Sequence, residues 1–454
     1  MTEILVSILA ILLIALMFLN CRKGIIISFL VNSFFIPGQV NIVGGIRFKF
    51  VILAGMIFVV IANGLHKKQD NRLFVKPAVF YLVYGLALAF LAASVPLSMQ
   101  LPFLIKMWVA TFAYGIILWM AISSQKYLLF FEKYFLLTLF VLTILGIVEY
   151  ITSVNIFRLL FGSEVVFFDD ARGGFSGRIS SSTGHPLDWG QACVVLFGMA
   201  LLLFNKVKNK HLLISVCILI AINCVLSVSR SCIIPLALFI VLYAIMAFKN
   251  IIKRNIGKVV ISVFALIILF AKLNPENAGT VQALLMPWST EKSEDAGFKG
   301  SSVELREEQL DNSIDFIGER GLLFGMGYGL VHNRPEDDGD LFDKAFGLES
   351  IIFVTVIEQG IVGLLCLAVF FVMMYKISSK VTHDVKRKRI LMCLLLCYVL
   401  SLVFTGNRSS LPLFYTLLLV YMRHEQFMCS ANIYRRYEKN QSYSIVPTPV
   451  SSNA

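Results

Sequence analysis

Apolar runs recur along almost the whole chain, separated by short polar connections and interrupted by two long ones. A helix crossing a hydrocarbon core of ~30 Å needs about twenty mostly apolar residues. Runs of roughly that length fall at 3–20, 24–43, 48–65, 76–95, 102–122, 128–150, 188–205, 211–228, 231–248, 257–272, 349–375, 389–405 and 410–422. The pattern predicts an all-α, polytopic integral membrane protein of about 12–13 transmembrane helices. The organisation that follows is N-terminal membrane helices over 1–150, a first outer loop over 151–187 and central helices over 188–272. A large outer loop over 273–348, C-terminal helices over 349–422 and a cytoplasmic tail over 423–454 complete it. The end of that tail, QSYSIVPTPVSSNA, is polar enough to be expected disordered in part.

The large loop has helical periodicity of its own. Val303, Arg306, Leu310, Ile314 and Ile317 recur every three or four residues, so they share one face of a short amphipathic helix ending at Gly318. Arg306 sits in the middle of that face, either snorkelling off it or aimed inward at an anion. The segment GLLFGMGYGL, Gly321–Leu330, then reads as a glycine-punctuated turn. No strand pattern precedes it, which excludes a dinucleotide-binding fingerprint.

Composition agrees with the class: 58% of the 454 residues are hydrophobic and 15% charged. The first run lacks a small-residue cleavage site and reads as a retained span. None of the nine cysteines lies in the long loops, so no disulfide framework is expected. A net charge of +12 suggests nucleic acid only for a soluble chain; here it reflects orientation, and no nucleic-acid partner is expected. Alternate connections divide the basic residues unequally. Those including Arg22, Lys23 and the KVTHDVKRKR segment hold 25 of the 40 and define the cytoplasmic side; the other 15 share the side of the two long loops.

The choice of base differs between the sides as well. Cytoplasmic connections hold 17 lysines and 8 arginines, the outer side 6 lysines and 9 arginines. Orientation needs only positive charge, whereas an arginine fork grips phosphate at two points, so the outer excess points to a phosphate ligand. Three outer arginines stand out. Arg178 precedes the span that starts near Asp188. Arg230 occupies a junction of two spans with almost no loop, where a charge at bilayer depth costs roughly 2.5–3.5 kcal/mol. Arg306 is the helix-face residue. Glu349 opens the following span, and Glu358 lies nine residues deeper, well over ~10 Å along the axis, so the two do not face one another. Glu358 reads as a structural hydrogen-bonder.

In order, these residues resemble the O-antigen polymerase and O-antigen ligase superfamily, bacterial membrane enzymes that transfer glycan from an undecaprenyl-pyrophosphate carrier. Arg178 followed by Gly184 and Pro186, the pair Ser229-Arg230, Arg306 early in a large loop, Phe324-Gly325-Met326-Gly327, and Glu358 with Gly360 and Gly363 match its motifs. The resemblance covers roughly residues 170–370. Where the ligase branch has a histidine, this chain has Glu349.

The resemblance implies a membrane glycosyltransferase of the bacterial cytoplasmic membrane whose site faces outward, acting on lipid-linked oligosaccharide repeats. The expected activity is polymerisation of repeats for O-antigen, capsule or another exopolysaccharide; transfer to lipid A core is the ligase alternative. A lipid-linked oligosaccharide flippase is the rival of another class, set back by the absence of related halves with polar mid-span interruptions. Arg230 and Arg306 are expected on the pyrophosphate, with Arg178 as a third contact and Glu349 as general base. His185, His332 and Arg408 are weaker candidates, and both histidines also read as solvated loop residues. Asp337, Asp338 and Asp340 offer oxygen ligands for a divalent cation but read first as a solvated acidic turn. No metal and no cofactor is expected. Partners would be the lipid-linked substrate, membrane lipid, and a chain-length regulator and flippase of the same pathway.

Overall fold

The computed structural model describes residues 2–68, 72–92, 94–162, 167, 177–204, 210–247, 321–331, 350–404 and 410–444. Among them the fold is all-α. In chain order the helices are α1 (Thr2–Leu19), α2 (Cys21–Phe34), α3 (Phe48–Ala62), α4 (Arg72–Leu91) and α5 (Leu97–Trp108). A π-helical turn, Val109–Ala113, carries α5 into α6 (Tyr114–Ala121). Then follow α7 (Gln125–Thr152), α8 (Ile156–Phe161), α9 (Pro186–Leu203), α10 (Lys210–Leu226), α11 (Arg230–Ala247), α12 (Ile351–Val381), α13 (Val385–Phe404) and α14 (Leu411–Ser444). Among the described residues five helical segments are long and apolar enough to cross a membrane: α1, α5–α6, α7, α9 and α12.

α9 is the axis of the bundle. Its apolar window is 83% buried, against 22–44% for the other four. A helix apolar all round with small residues at its contacts suits that place, because packing replaces the hydrophobic effect between helices in lipid. Gly198 of α9 lets the Leu394 side chain of α13 lie where a Cβ would stand, and Gly190 does the same for Ser227 and Cys232. α1 is the opposite case, with Ile4, Leu5, Ile8, Ile11 and Leu12 exposed on the face turned from its neighbours.

Three expected spans take a different shape. The span expected over 24–43 ends as helix at Phe34, where the Phe35 amide closes on the Val31 carbonyl at 2.9 Å and the chain turns. The span expected over 410–422 continues as helix to Ser444. The span expected over 349–375 runs to Val381 but breaks at Gly360, which stands at φ 68°, ψ −170°. That region is open essentially to glycine alone. Backbone groups freed within a membrane need other partners, and residues 321–331 supply them. The Ile361 and Val362 amides donate to the Leu322 and Leu323 carbonyls at 2.9 and 3.1 Å; the Met326 and Gly327 amides donate to the Ile357 and Glu358 carbonyls at 2.8 and 3.1 Å. The expected glycine turn is therefore present, and it acts as a plug for a broken helix. Gln100 of α5 ties it to a third element, accepting from the Tyr328 amide at 3.0 Å and donating to the Val95 carbonyl at 2.6 Å. The expected span 257–272 and the helix expected over Val303–Ile317 lie outside the described residues.

At the opposite ends of α9, α13 and α14 the closure is made by side chains. Arg387 pairs with Glu425 and donates to the Leu202 carbonyl at 2.9 Å. His424 bridges Glu425 and Glu132 at 3.5 and 3.7 Å. Arg423 donates to the Ile122 carbonyl at 2.7 Å with its guanidinium 4.8 Å from the Trp119 ring.

Candidate active site

Residues 178–185 lead into α9, and a buried carboxylate shapes them. Glu149, 1% exposed in the last turns of α7, accepts from the Ser180 and Ser181 amides at 2.9 Å each. The Asn155 amide donates to it at 2.9 Å and the Ser180 hydroxyl at 3.3 Å. Multiple donors of this kind make a buried carboxylate tolerable. Above this node a short 3-10 turn, Ser181–Thr183, leads to Gly184 at φ 76°, a left-handed position suited to glycine. His185 then caps α9, its Nδ1 accepting from the Leu187 amide at 3.2 Å, with Pro186 at the first helical position.

The start of the same segment is stapled to α10. The Ile179 amide donates to the Leu226 carbonyl at 3.2 Å, and half-buried Arg178 donates through Nε to the Ser227 carbonyl at 3.1 Å. Ser227 lies three residues before Arg230, the first residue of α11. The junction between those helices is as short as expected. It turns through Val228 at φ 49°, and the Ser229 hydroxyl meets the Ser231 hydroxyl at 2.9 Å. So the segment carrying Arg178 and the Ser229-Arg230 junction, separated by some fifty residues of sequence, form one corner of the fold.

A cavity of about 860 Å³ opens at this end of the bundle. Its polar lining includes Ser182, His185 and Asp188 from the α9 corner, Glu358 from the helix break, and Arg47 and Lys49 from the start of α3. With Nδ1 taken up by the cap, the neutral His185 ring carries its proton on Nε2. Glu358 accepts from the Gly329 amide at 3.1 Å, the structural hydrogen bond expected of it. Two residues flanking the candidate set are anchored nearby in the chain: Ser350 caps α12 and donates to the Val403 carbonyl at 2.6 Å, and Ser410 donates to Gln191 at 3.0 Å. Arg306, His332, Glu349 and Arg408 lie outside the described residues. Among the described residues no three histidine, cysteine or acidic side chains group as a metal site would require.

Glu149, Arg47, Lys49 and Asp188 were not singled out as site residues from sequence. Glu149 had a signal: an acid near the end of a 28-residue apolar helix is rare unless partnered or functional.

Residues 215–368 match the family model described as O-antigen ligase. The match runs from within α10 to within α12 and takes in Arg230, Arg306, Glu349 and Glu358, while Arg178 lies before it. No curated protein matches the chain. Residues 215–368 are thus similar to the O-antigen polymerase and ligase superfamily, and the apolar helices of the chain fit a multi-pass membrane protein.

Proposed function

We propose that the chain is a polymerase joining lipid-linked oligosaccharide repeats of a bacterial surface polysaccharide. The observation that carries it is the corner at which Arg178 and the Ser229-Arg230 junction meet, because it gathers arginine motifs beside a cavity large enough for a headgroup and sugars. The donor is a glycan on undecaprenyl pyrophosphate and the acceptor the terminal sugar of another lipid-linked repeat. In the transfer, the bond between the donor's anomeric carbon and the phosphate oxygen breaks, and a bond from an acceptor hydroxyl oxygen forms. The lipid pyrophosphate departs with the electron pair, and the hydroxyl proton passes to a base.

Charge accumulates on the departing pyrophosphate, and cations fixed in advance around it stabilise that charge most. Arg178, Arg230 and Arg306 take this role, with forks that grip two phosphate oxygens at once. Glu349 takes the proton, its basicity raised by removal from bulk water. The site faces outward across the bacterial cytoplasmic membrane, on the side that keeps arginine against the orientation rule.

The description of the matching family favours a second reading, transfer of the same donor glycan to lipid A core. Glu349, standing where that branch has histidine, weighs for polymerisation. A deletion strain tests both. Single repeats without a ladder on a glycan gel are the expected result. Complete polymer left on its carrier would make the chain a ligase, and loss of all outward-facing repeats would make it a transporter. Orientation has its own test: a cysteine at Ser293 should react with a membrane-impermeant thiol reagent in intact cells while one at Ser379 does not.

A further inference from the structure

A transfer between two lipid-linked saccharides brings two pyrophosphates to one site, a requirement that holds only if the chain polymerises repeats as proposed above. Arg178, Arg230 and Arg306 account for one of them. The cavity has a second set of cations from a distant part of the chain. Arg47 precedes α3 and Lys49 is the second residue of that helix; both are half-buried and both line the cavity. The connection that presents them is held by an antiparallel bridge between Asn41 and Arg47, with the Ile42 amide on the Ile46 carbonyl at 2.8 Å and the Phe48 amide on the Val40 carbonyl at 2.9 Å.

Among the described residues neither cation has a carboxylate partner. Lys49 lies 5.5 Å from the Phe50 ring, and the charges of Arg47 and Lys106 both bear on it. Asp188 and Glu358 line the same cavity without pairing with either cation, and like charges held together short of an ion pair are unfavourable until an anion joins them. Beside them Asn32, 8% exposed, lines the same cavity with an Oδ1 that has no hydrogen-bond partner among the described residues. The Asn32 side chain also meets Tyr114, and its open Oδ1 can take a donor from water or from a ligand. Paired cations and a buried acceptor lining one cavity suit a pyrophosphate joined to a sugar hydroxyl.

We propose that Arg47 and Lys49 hold the pyrophosphate of the second lipid-linked saccharide, the acceptor, while Asn32 Oδ1 accepts from a hydroxyl of its sugar. The α2–α3 connection is then a substrate-binding element for the acceptor, separate from the donor corner at Arg178 and Arg230.

The test uses the full chain in nanodiscs of phosphatidylcholine, with a polyprenyl-pyrophosphate-linked single repeat as probe and native mass spectrometry to count bound molecules. Two per protein are expected for the parent and one for the double variant Arg47→Gln, Lys49→Gln. With lipid-linked polymer as donor and each substrate varied in turn, the same variant should raise the acceptor KM about tenfold or more and leave the donor KM unchanged. Arg47→Lys with Lys49→Arg keeps both charges and should keep two molecules bound. Asn32→Ser, which leaves the cations in place, should raise the acceptor KM alone. Two molecules on the glutamine variant, or a KM change shared equally by donor and acceptor, would overturn the proposal. So would displacement of the second molecule by an equal mole fraction of phosphatidylglycerol, which would make the site a general lipid-headgroup dock. One molecule on a parent that still elongates chains removes the second subsite and leaves the polymerase standing; no binding and no elongation removes both.

Discussion

The two ends of the bundle hold their cations differently. At one end Arg387 is 3% exposed and its charge is consumed by Glu425, with His424 and Glu132 completing a closed cluster. At the other, Arg178 is half-buried and spends one nitrogen on the Ser227 carbonyl, while Arg47 and Lys49 border open volume with no carboxylate partner among the described residues. Removing one partner of a buried pair leaves the other charge desolvated and uncompensated, so the pair acts as a lock. Cations without a carboxylate partner among the described residues, as Arg47 and Lys49 are, keep their charge for something that arrives later. Substitutions at the first end should therefore cost stability, and substitutions at the second should cost chemistry.

The largest effect belongs to the proposed base. Glu349→Gln should slow elongation by purified protein about a hundred- to ten-thousand-fold while the lipid-linked repeat still binds; a variant within tenfold of the parent would leave Glu349 a structural partner. Next comes Arg387→Ala, expected to destabilise the protein by about 3–5 kcal/mol in thermal or denaturant unfolding. Elongation per folded molecule should hardly change. If the rate per molecule fell as far as the stability, the two ends would not be functionally distinct. Arg230→Lys and Arg306→Lys should each lose most elongation despite retaining charge, because an ammonium cannot reproduce the fork. Arg178→Lys should lose about tenfold, because an ammonium cannot reproduce the fork; the melting midpoint measured alongside separates that loss from loss of structure. The smallest effect is at His185. Asparagine is also a good helix cap, so His185→Asn should leave both melting and rate within about twofold; a larger loss of rate at constant stability would move His185 into the chemistry.

Much of the architecture is legible in hydropathy, because a helix in lipid needs a run of set length and little else. The centrality of α9 is harder to see. Its sequence, PLDWGQACVVLFGMALLL, is no more apolar than that of α1, and only its small residues hint that other helices surround it. Gly325, Gly327 and Gly360 are visible as glycines, but the break they create is not. It depends on two stretches thirty residues apart filling each other's backbone, and no local pattern encodes that. Arg178 and Arg230 are legible by residue type and side, whereas the Ser227 carbonyl that joins their segments is a long-range contact without a side-chain signature. Glu149 is hidden for a different reason: a window average over a mostly apolar 28-residue helix absorbs an acid, and two of its four donors are backbone amides, which every residue but proline has.

The plug at Gly360 has a consequence for how this region opens. In an intact helix each amide can part from its carbonyl almost independently near the ends, so fraying is gradual. Here the Met326, Gly327, Ile361 and Val362 amides cross between two segments, each filling the gap left by the other. Neither segment can leave without exposing both sets of groups. Opening is therefore cooperative: these four amides should exchange hydrogen at a shared rate, set by one event and not by four.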